Sequence, residues 1–485
     1  MLLGLAAGTS GRAAAATATV ADATERRDAG ALAAALAAKA DLNGKQPDGM
    51  TALHWATFHD DLPLAERLLA AGAKAETVNR YGVTPLMLAA LNGNAALAER
   101  LLAAGADVRA RRAGGETVLM TAARTGRPEM LKVLLARGAD VEARDGSGQT
   151  ALMWAAAEGH AGAVEVLLAA GADFRRALDS GFTPLFFAVR EGRPDVVRVL
   201  LKAGADVNGT MEPKRTGPRL PKKGTAPLHL AVENGHFELA AELLAAGANP
   251  NDQRSGYTAL HMLSWVRKPE RGDDGTPAPV GSGILTSLEL VRRLVAAGAD
   301  VNARLERGPA GNGRLGRKGA TPFLLAADTA DLPLMQLLLE LKADPFLANA
   351  EGATPLMAAV GLGTRAPTEE AGTEDEALAA AELVFRLGGK LDTVDANGET
   401  AMHGAAYASF PKLVRWLAAK GADIETWNRK NKRGWTPLLI AQGFRFGNFK
   451  PSAETIEALS EVMRAKGIEP PPPPPRDNTA KYEAP

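Results

Sequence analysis

Apolar positions along this chain fall into pairs of short helical stripes divided by glycines, and residues 148–180 show the pattern most plainly. Leu152, Ala155 and Ala156 recur at helical spacing, Gly159 interrupts them, and Val164, Val166, Leu167 and Leu168 form a second stripe that ends at Gly171. Two short helices are predicted. The first presents small residues, which let a neighbouring helix come close. Gly159 is placed to end it in the left-handed conformation that glycine adopts at least cost. Thr150 is placed to cap its other end by accepting from an exposed backbone N–H. In sister stretches a proline follows the threonine (Pro85, Pro184, Pro322, Pro355, Pro437), at a helical position that needs no N–H. Residues 172–182 are predicted to form an extended hairpin that leads to the next cassette.

The whole pattern recurs. A glycine stands two residues before a cassette whose fullest form is Thr-Pro-Leu-His-x-Ala at Gly49, Gly82, Gly115, Gly148, Gly181, Gly224, Gly256, Gly319, Gly352, Gly398 and Gly434, and the first five are 33 residues apart. A strict period of that length marks one supersecondary unit stacked many times. These features resemble the ankyrin repeat, from about Asp22 to Lys466. The resemblance implies an all-α repeat solenoid of about eleven ankyrin repeats, each a helix-turn-helix plus hairpin finger, with N- and C-terminal capping units. It implies one concave face lined by the inner helices and the fingers, a protein as the ligand, and no catalytic residue. Residues 22–42 keep second-helix features without the cassette and read as the N-terminal cap. A helix over about 453–465 reads as the C-terminal cap.

The solenoid is therefore assigned to 19–466. Residues 1–18 read as a signal peptide or an alanine-rich disordered lead-in: Leu2 to Ala7 are mostly apolar and Ala13 to Ala16 suit a signal peptidase, but no basic residue precedes the apolar part. A signal would make the chain periplasmic or secreted; without one it is cytoplasmic. Residues 467–485 are a Pro-rich disordered tail, in which Pro470 to Pro475 favour polyproline II.

The period breaks where the cassettes at Thr183 and Ala226 stand 43 apart, Thr258 and Thr321 63 apart, and Thr354 and Thr400 46 apart. Insertions are placed near 209–223 and 304–318, lengthening fingers, and near 266–284 and 361–375, enlarging helix–helix turns. Both long fingers are basic. Lys214, Arg215, Arg219, Lys222 and Lys223 face only Glu212, and Arg304, Arg307, Arg314, Arg317 and Lys318 face only Glu306. The helix-turn insertion is instead acidic around 369–376, with Glu369, Glu370, Glu374, Asp375 and Glu376. Two further departures are Ala226 in place of a cap threonine and Lys342 in place of the glycine after a second helix.

Positions free to vary are candidates for recognition. They flank the finger glycine and close the first helix, seven and eight residues after the cassette threonine. Phe58, His59, Tyr81, Val83, Leu91, Arg124, Phe182, Arg190, Tyr257, Trp265, Tyr407, Trp435 and Phe444 stand there, including three of the four tyrosines, and all are expected at the surface. Large aromatics there are the residue types that dominate interfaces. Partner binding is assigned to Phe58, Tyr81, Phe182, Tyr257, Trp265, Tyr407 and Trp435, with Lys222, Lys223, Arg314 and Arg317 from the fingers. Trp55 and Trp154, at the fourth position after threonine, are expected in the core.

Catalysis finds little support. His54, His229, His261 and His403 share one cassette position, and His160 and His236 follow the glycine after a first helix, so six of seven histidines have structural explanations. There is no cysteine, no metal-ligand spacing and no strand–loop–helix phosphate motif. No cofactor is expected. Formal charge is zero and no apolar run is long enough to span a membrane, so bulk attraction to nucleic acid or lipid is not expected. The leading reading is a monomeric, non-enzymatic scaffold for an unidentified protein partner. Polyanion or nucleic-acid binding by the basic fingers, and an enzyme site hidden in 258–321, are the alternatives.

Overall fold

The computed structural model describes residues 19–217, 222–269, 278–306, 315–367, 371–445 and 450–474. The expectations for residues 1–18, Arg219, Arg307, Arg314, Glu369, Glu370 and 475–485 lie outside them. The described residues are helical, and their one strand-like pairing is a lone bridge between Arg111 and Thr117. The chain divides into two compact units, Met1–Ala205 and Asp206–Pro485.

Helices come in pairs. In the stretch used above they run Ala151–Glu158 and Ala161–Ala169, with the Thr150 hydroxyl accepting from the Met153 N–H at 3.4 Å and Gly159 closing the first helix at φ +89°. A threonine cap of this kind contributes about 1 kcal/mol. Within a unit, first helices stack on first helices and second on second. Leu53, Ala56, Leu68, Leu86, Ala89, Leu97 and Leu101 are fully buried by this stacking. Each leucine contributes roughly 1.5–3 kcal/mol by leaving water.

The fingers are shorter than the extended hairpins expected. Leu178 N–H donates to the Phe182 carbonyl (2.9 Å) and Gly181 N–H to the Leu178 carbonyl (2.8 Å), a closed turn without a ladder. Neighbouring fingers join by single backbone bonds, as from Arg80 N–H to the Asp48 carbonyl (2.8 Å) or Ala350 N–H to the Lys318 carbonyl (2.9 Å). One bond per neighbour is too few for a strand. The recurrent glycine serves this contact as well as the turn, because a Cβ on Gly49 (φ +87°) would come within 2.8 Å of the Arg80 nitrogen.

The departures have structural consequences. The first helix after Ala226 has no side-chain cap, and Thr225 donates to the Lys222 carbonyl at 2.8 Å instead. Lys342 adopts φ +73°, the conformation of the glycine it replaces. The acidic residues expected in an enlarged turn are partly helical: Glu374, Asp375 and Glu376 open the helix Glu374–Arg386, capped by Thr373. Carboxylates at a helix N-terminus are favoured by its dipole. They are also paired, Asp375 with Lys412 and Glu376 with Lys268, both at 2.7 Å.

Between the helices Ala259–Arg267 and Ser287–Ala296, the segment from 278 is pinned at several points. Ser282 meets His236 Nδ1 at 2.9 Å, and the Glu238 carboxylate accepts from the backbone of Ile284 (2.6 Å) and Leu285 (3.0 Å). A Cβ on Gly281 would fall 1.8 Å from the Gly235 carbonyl oxygen, so only glycine fits. Val280 and Ile284 are left almost wholly exposed.

Candidate interaction surface

In most repeats the seventh residue after the cassette threonine sits in the last turn of the first helix. In the N-terminal unit Phe58 and Leu91 stand there, half exposed at 50% and 45%. Phe58 belongs to a cluster: Trp55 meets it edge to face at 5.5 Å, and His59 stacks on Trp55 at 5.8 Å. Trp55 is thus half-buried rather than core, and Trp154 likewise. The reason is a polar indole end that must find an acceptor. Trp55 donates to Gln46 Oε1 at 2.6 Å and Trp154 to Asp145 Oδ2 at 3.2 Å, and each acceptor lies on the finger nine residues earlier. The Gln46 amide in turn donates to Asp22 and Glu25, and this bond leads the contacts that hold the Asp22 carboxyl below its ordinary value.

Tyr81 is the most exposed of the aromatic candidates, at 55%, with the Arg80 guanidinium over its ring at 5.2 Å and bonded to its hydroxyl at 2.9 Å. Phe182, expected at the surface, is buried. It packs on Phe187 (5.2 Å) and Phe186 (6.3 Å), and Arg190 covers it at 5.0 Å. A cassette with phenylalanines at both 186 and 187 supplies an apolar surface that the smaller cassettes lack.

The C-terminal unit brings four predicted residues together. Tyr257 and Trp265, both half-buried, meet edge to face at 5.3 Å. Lys222 Nζ donates to the tyrosine hydroxyl at 3.2 Å and lies 4.9 Å from the ring centroid, and the Arg317 guanidinium lies 5.5 Å from the centroid of the tryptophan. Burial pushes the Tyr257 hydroxyl pKa up, helped by Glu233. Lys223 points elsewhere and pairs with Glu212 at 3.1 Å. A cavity of about 80 Å³ runs from Trp265 and Arg317 past Asp328 to Leu315 and Leu362. A smaller one of about 30 Å³ shares both leucines and reaches Glu399, Tyr407 and Arg433.

Tyr407 is not at the surface either. It is 4% exposed and donates to Glu399 Oε1 at 2.8 Å, an oxygen that also accepts from the Asn431 amide at 2.9 Å. Burial raises the Glu399 carboxyl above its ordinary value, and the same cause raises Asp395. Trp435 stays half-buried with Arg433 over it at 5.7 Å. A third cleft, about 790 Å³ and polar, contains Asn208, Asn249, Asn251 and Arg254, but two of these amides are spent on the backbone carbonyls of Gly247 and Gly298.

Paired helices joined by glycine-turn fingers agree with what a family comparison recovers. A model of ankyrin repeats (3 copies) matches residues 22–112, 61–145, 104–177 and 119–211, and a single ankyrin repeat matches 223–254. This is an ankyrin repeat protein. No curated protein gives a match. Ankyrin repeats are generally protein–protein interaction modules, and proteins built from them are typically non-enzymatic scaffolds.

The histidines of this ankyrin repeat protein fit that description. His54 and His261 each meet the cap threonine through Nδ1 (2.8 Å to Thr51 and to Thr258) and the next finger through Nε2, to the Val83 carbonyl at 3.1 Å and the Ala303 carbonyl at 3.0 Å. Burial holds His261 and His403 down at about 4, so both are neutral. Among the described residues no group of three or more histidines and carboxylates is placed to hold a metal, and no helix is long and apolar enough to cross a membrane.

Sequence reasoning missed two contributors to the surface. Trp55 was assigned to the core; the signal for it is the glutamine nine residues earlier. Leu315, buried between the two small cavities, comes from a finger that the composition marks only as basic.

Proposed function

We propose that this chain is a non-enzymatic scaffold that binds a partner protein along the finger turns and first-helix ends. Its helix pairs are read as eleven repeats, preceded by the pair Val20–Glu25 and Ala29–Ala37 and ended by Ala453–Ala465. The observation that carries this reading is the Tyr257–Trp265 pair, kept half-open beneath two cations where a core pair would be sealed. Phe58, Tyr81 and Trp435 add further anchors. Rings of this kind typically contribute about 2 kcal/mol or more each when a partner buries them. The stacked helices change little on binding, which spares the ordering cost.

The test is affinity capture from the native cell with the tagged chain and with Tyr257→Ala, Trp265→Ala and Trp435→Ala combined. Partners held by the parent chain are expected to be lost from the variant while its helical circular dichroism persists. A partner retained at full affinity by a folded variant refutes the assignment of this surface.

A further inference from the structure

The cations above the Tyr257–Trp265 pair give this part of the surface a sign. Residues 209–223 carry five cations and one acid, and residues 304–318 repeat that ratio. Each of these fingers lays one cation on the pair: Lys222 from the first, Arg317 from the second. The steps from Lys222 to Tyr257, on to Trp265 and on to Arg317 are 4.9, 5.3 and 5.5 Å.

We propose that this ladder takes an extended acidic polypeptide segment, with two of its carboxylates on Lys222 and Arg317 and its aliphatic portion on the rings between them. The proposal rests on the protein-binding reading above and gives that partner a charge and a conformation. An extended chain advances about 3.3 Å per residue and returns to the same face every second residue. Carboxylates four residues apart, about 13 Å along an extended chain, therefore fit within the combined length of the three steps, with the residue midway between them returning to the rings. Ammonium and guanidinium groups held against rings are partly stripped of water, which strengthens a charge-assisted bond to a carboxylate.

A neighbouring acid sharpens the selection. Glu233 lies close enough to Lys222 to feel its charge. It repels negative charge that falls off that cation, so a segment with spaced carboxylates is favoured over a continuous polyanion. Single-stranded nucleic acid fits less well for a second reason. It binds by stacking bases on open ring faces. Here Arg317 occupies a face of Trp265, and the rings meet each other edge to face at 86°, so the pair offers no run of parallel open faces.

The experiment is fluorescence anisotropy on the full chain with three labelled probes: a short peptide with glutamates four residues apart and leucine midway between them, the same peptide with glutamine for glutamate, and an oligothymidine of equal charge. The glutamate peptide is expected to bind about tenfold or more tighter than the glutamine peptide, and to lose about tenfold in Lys222→Ala/Arg317→Ala, consistent with one to two charge contacts. Both side chains reach solvent, so the fold is expected to survive; Lys222→Gln/Arg317→Gln serves as the milder control. Equal binding of the two peptides, binding of neither, or oligothymidine binding more tightly overturns the proposal. If the glutamine peptide binds as well and Trp265→Ala abolishes it, the charge assignment falls while the protein-binding reading stands.

Discussion

The first helices that open at Thr258 and at Ala226 each carry a histidine three residues on, yet only one of the two is fully served. At Thr258 the hydroxyl lies 2.8 Å from His261 Nδ1, while Nε2 reaches the carbonyls of Ala303 (3.0 Å) and Ala320 (3.2 Å). Two carbonyls at Nε2 fix the proton there and leave Nδ1 as the acceptor. At Ala226 the helix lacks a side-chain cap, and His229 keeps its Nε2 bond to the Tyr257 carbonyl (2.9 Å) but has a buried Nδ1 without a hydrogen bond among the described residues. The threonine therefore does two things at once, capping the helix and orienting the ring that ties the cassette to the next finger. In the Ala226 repeat that next finger carries Tyr257, so the weaker cassette supports the candidate site directly.

The comparison can be broken most forcefully at His261. His261→Ala is expected to cost about 3 kcal/mol, from a cavity plus an unpaired Ala303 carbonyl, since the Ala320 carbonyl keeps its bond from the Leu305 N–H. His229→Ala, which loses fewer bonds, should cost about 1 kcal/mol less. Guanidinium unfolding of the two variants checks the order; equal losses refute the account. A smaller effect is expected from acid. Both rings have folded pKa values below the free histidine value of 6.5, His261 at about 4, with burial as the leading cause. The unfolded chain therefore takes up protons first, and stability contributed by the neutral rings falls as pH drops from about 6.5 towards 4. Glu399 acts in the opposite sense, since its raised pKa lets the folded state gain protons first as pH falls. Replacing His261 by Gln should flatten the fall in unfolding midpoint across that window, and an unchanged slope counts against the buried-histidine explanation. The smallest effect expected is a gain. Ala226→Thr restores a cap and a partner for Nδ1 and should stabilise by about 1 kcal/mol, read as a raised denaturation midpoint. A loss there means that the repeat has no room for the hydroxyl.

Local rules carried most of the fold. Thr150, Gly159 and Gly171 mark one helix pair by chemistry that acts within a few residues, and the period repeats it. Lys342 shows how firmly, since the register imposes a left-handed backbone on a residue that pays for it. What the pattern could not settle was which free positions stay free. Tyr407 occupies the same place in its helix as Phe58, but Glu399, eight residues earlier, and Asn431, on the next finger, draw its hydroxyl inward. Phe182 is buried by neighbours peculiar to its own cassette. The Tyr257–Trp265 ladder needed contacts between neighbouring repeats, Lys222 with Tyr257 and Trp265 with Arg317, which the pattern within one repeat does not contain.

The pinned segment after 278 has a practical side. Glu238, Gly235 and His236 grip residues 281–285 against the preceding helix pair, so Gly281→Ala would be a direct way to release that segment while leaving the caps of the flanking helices in place.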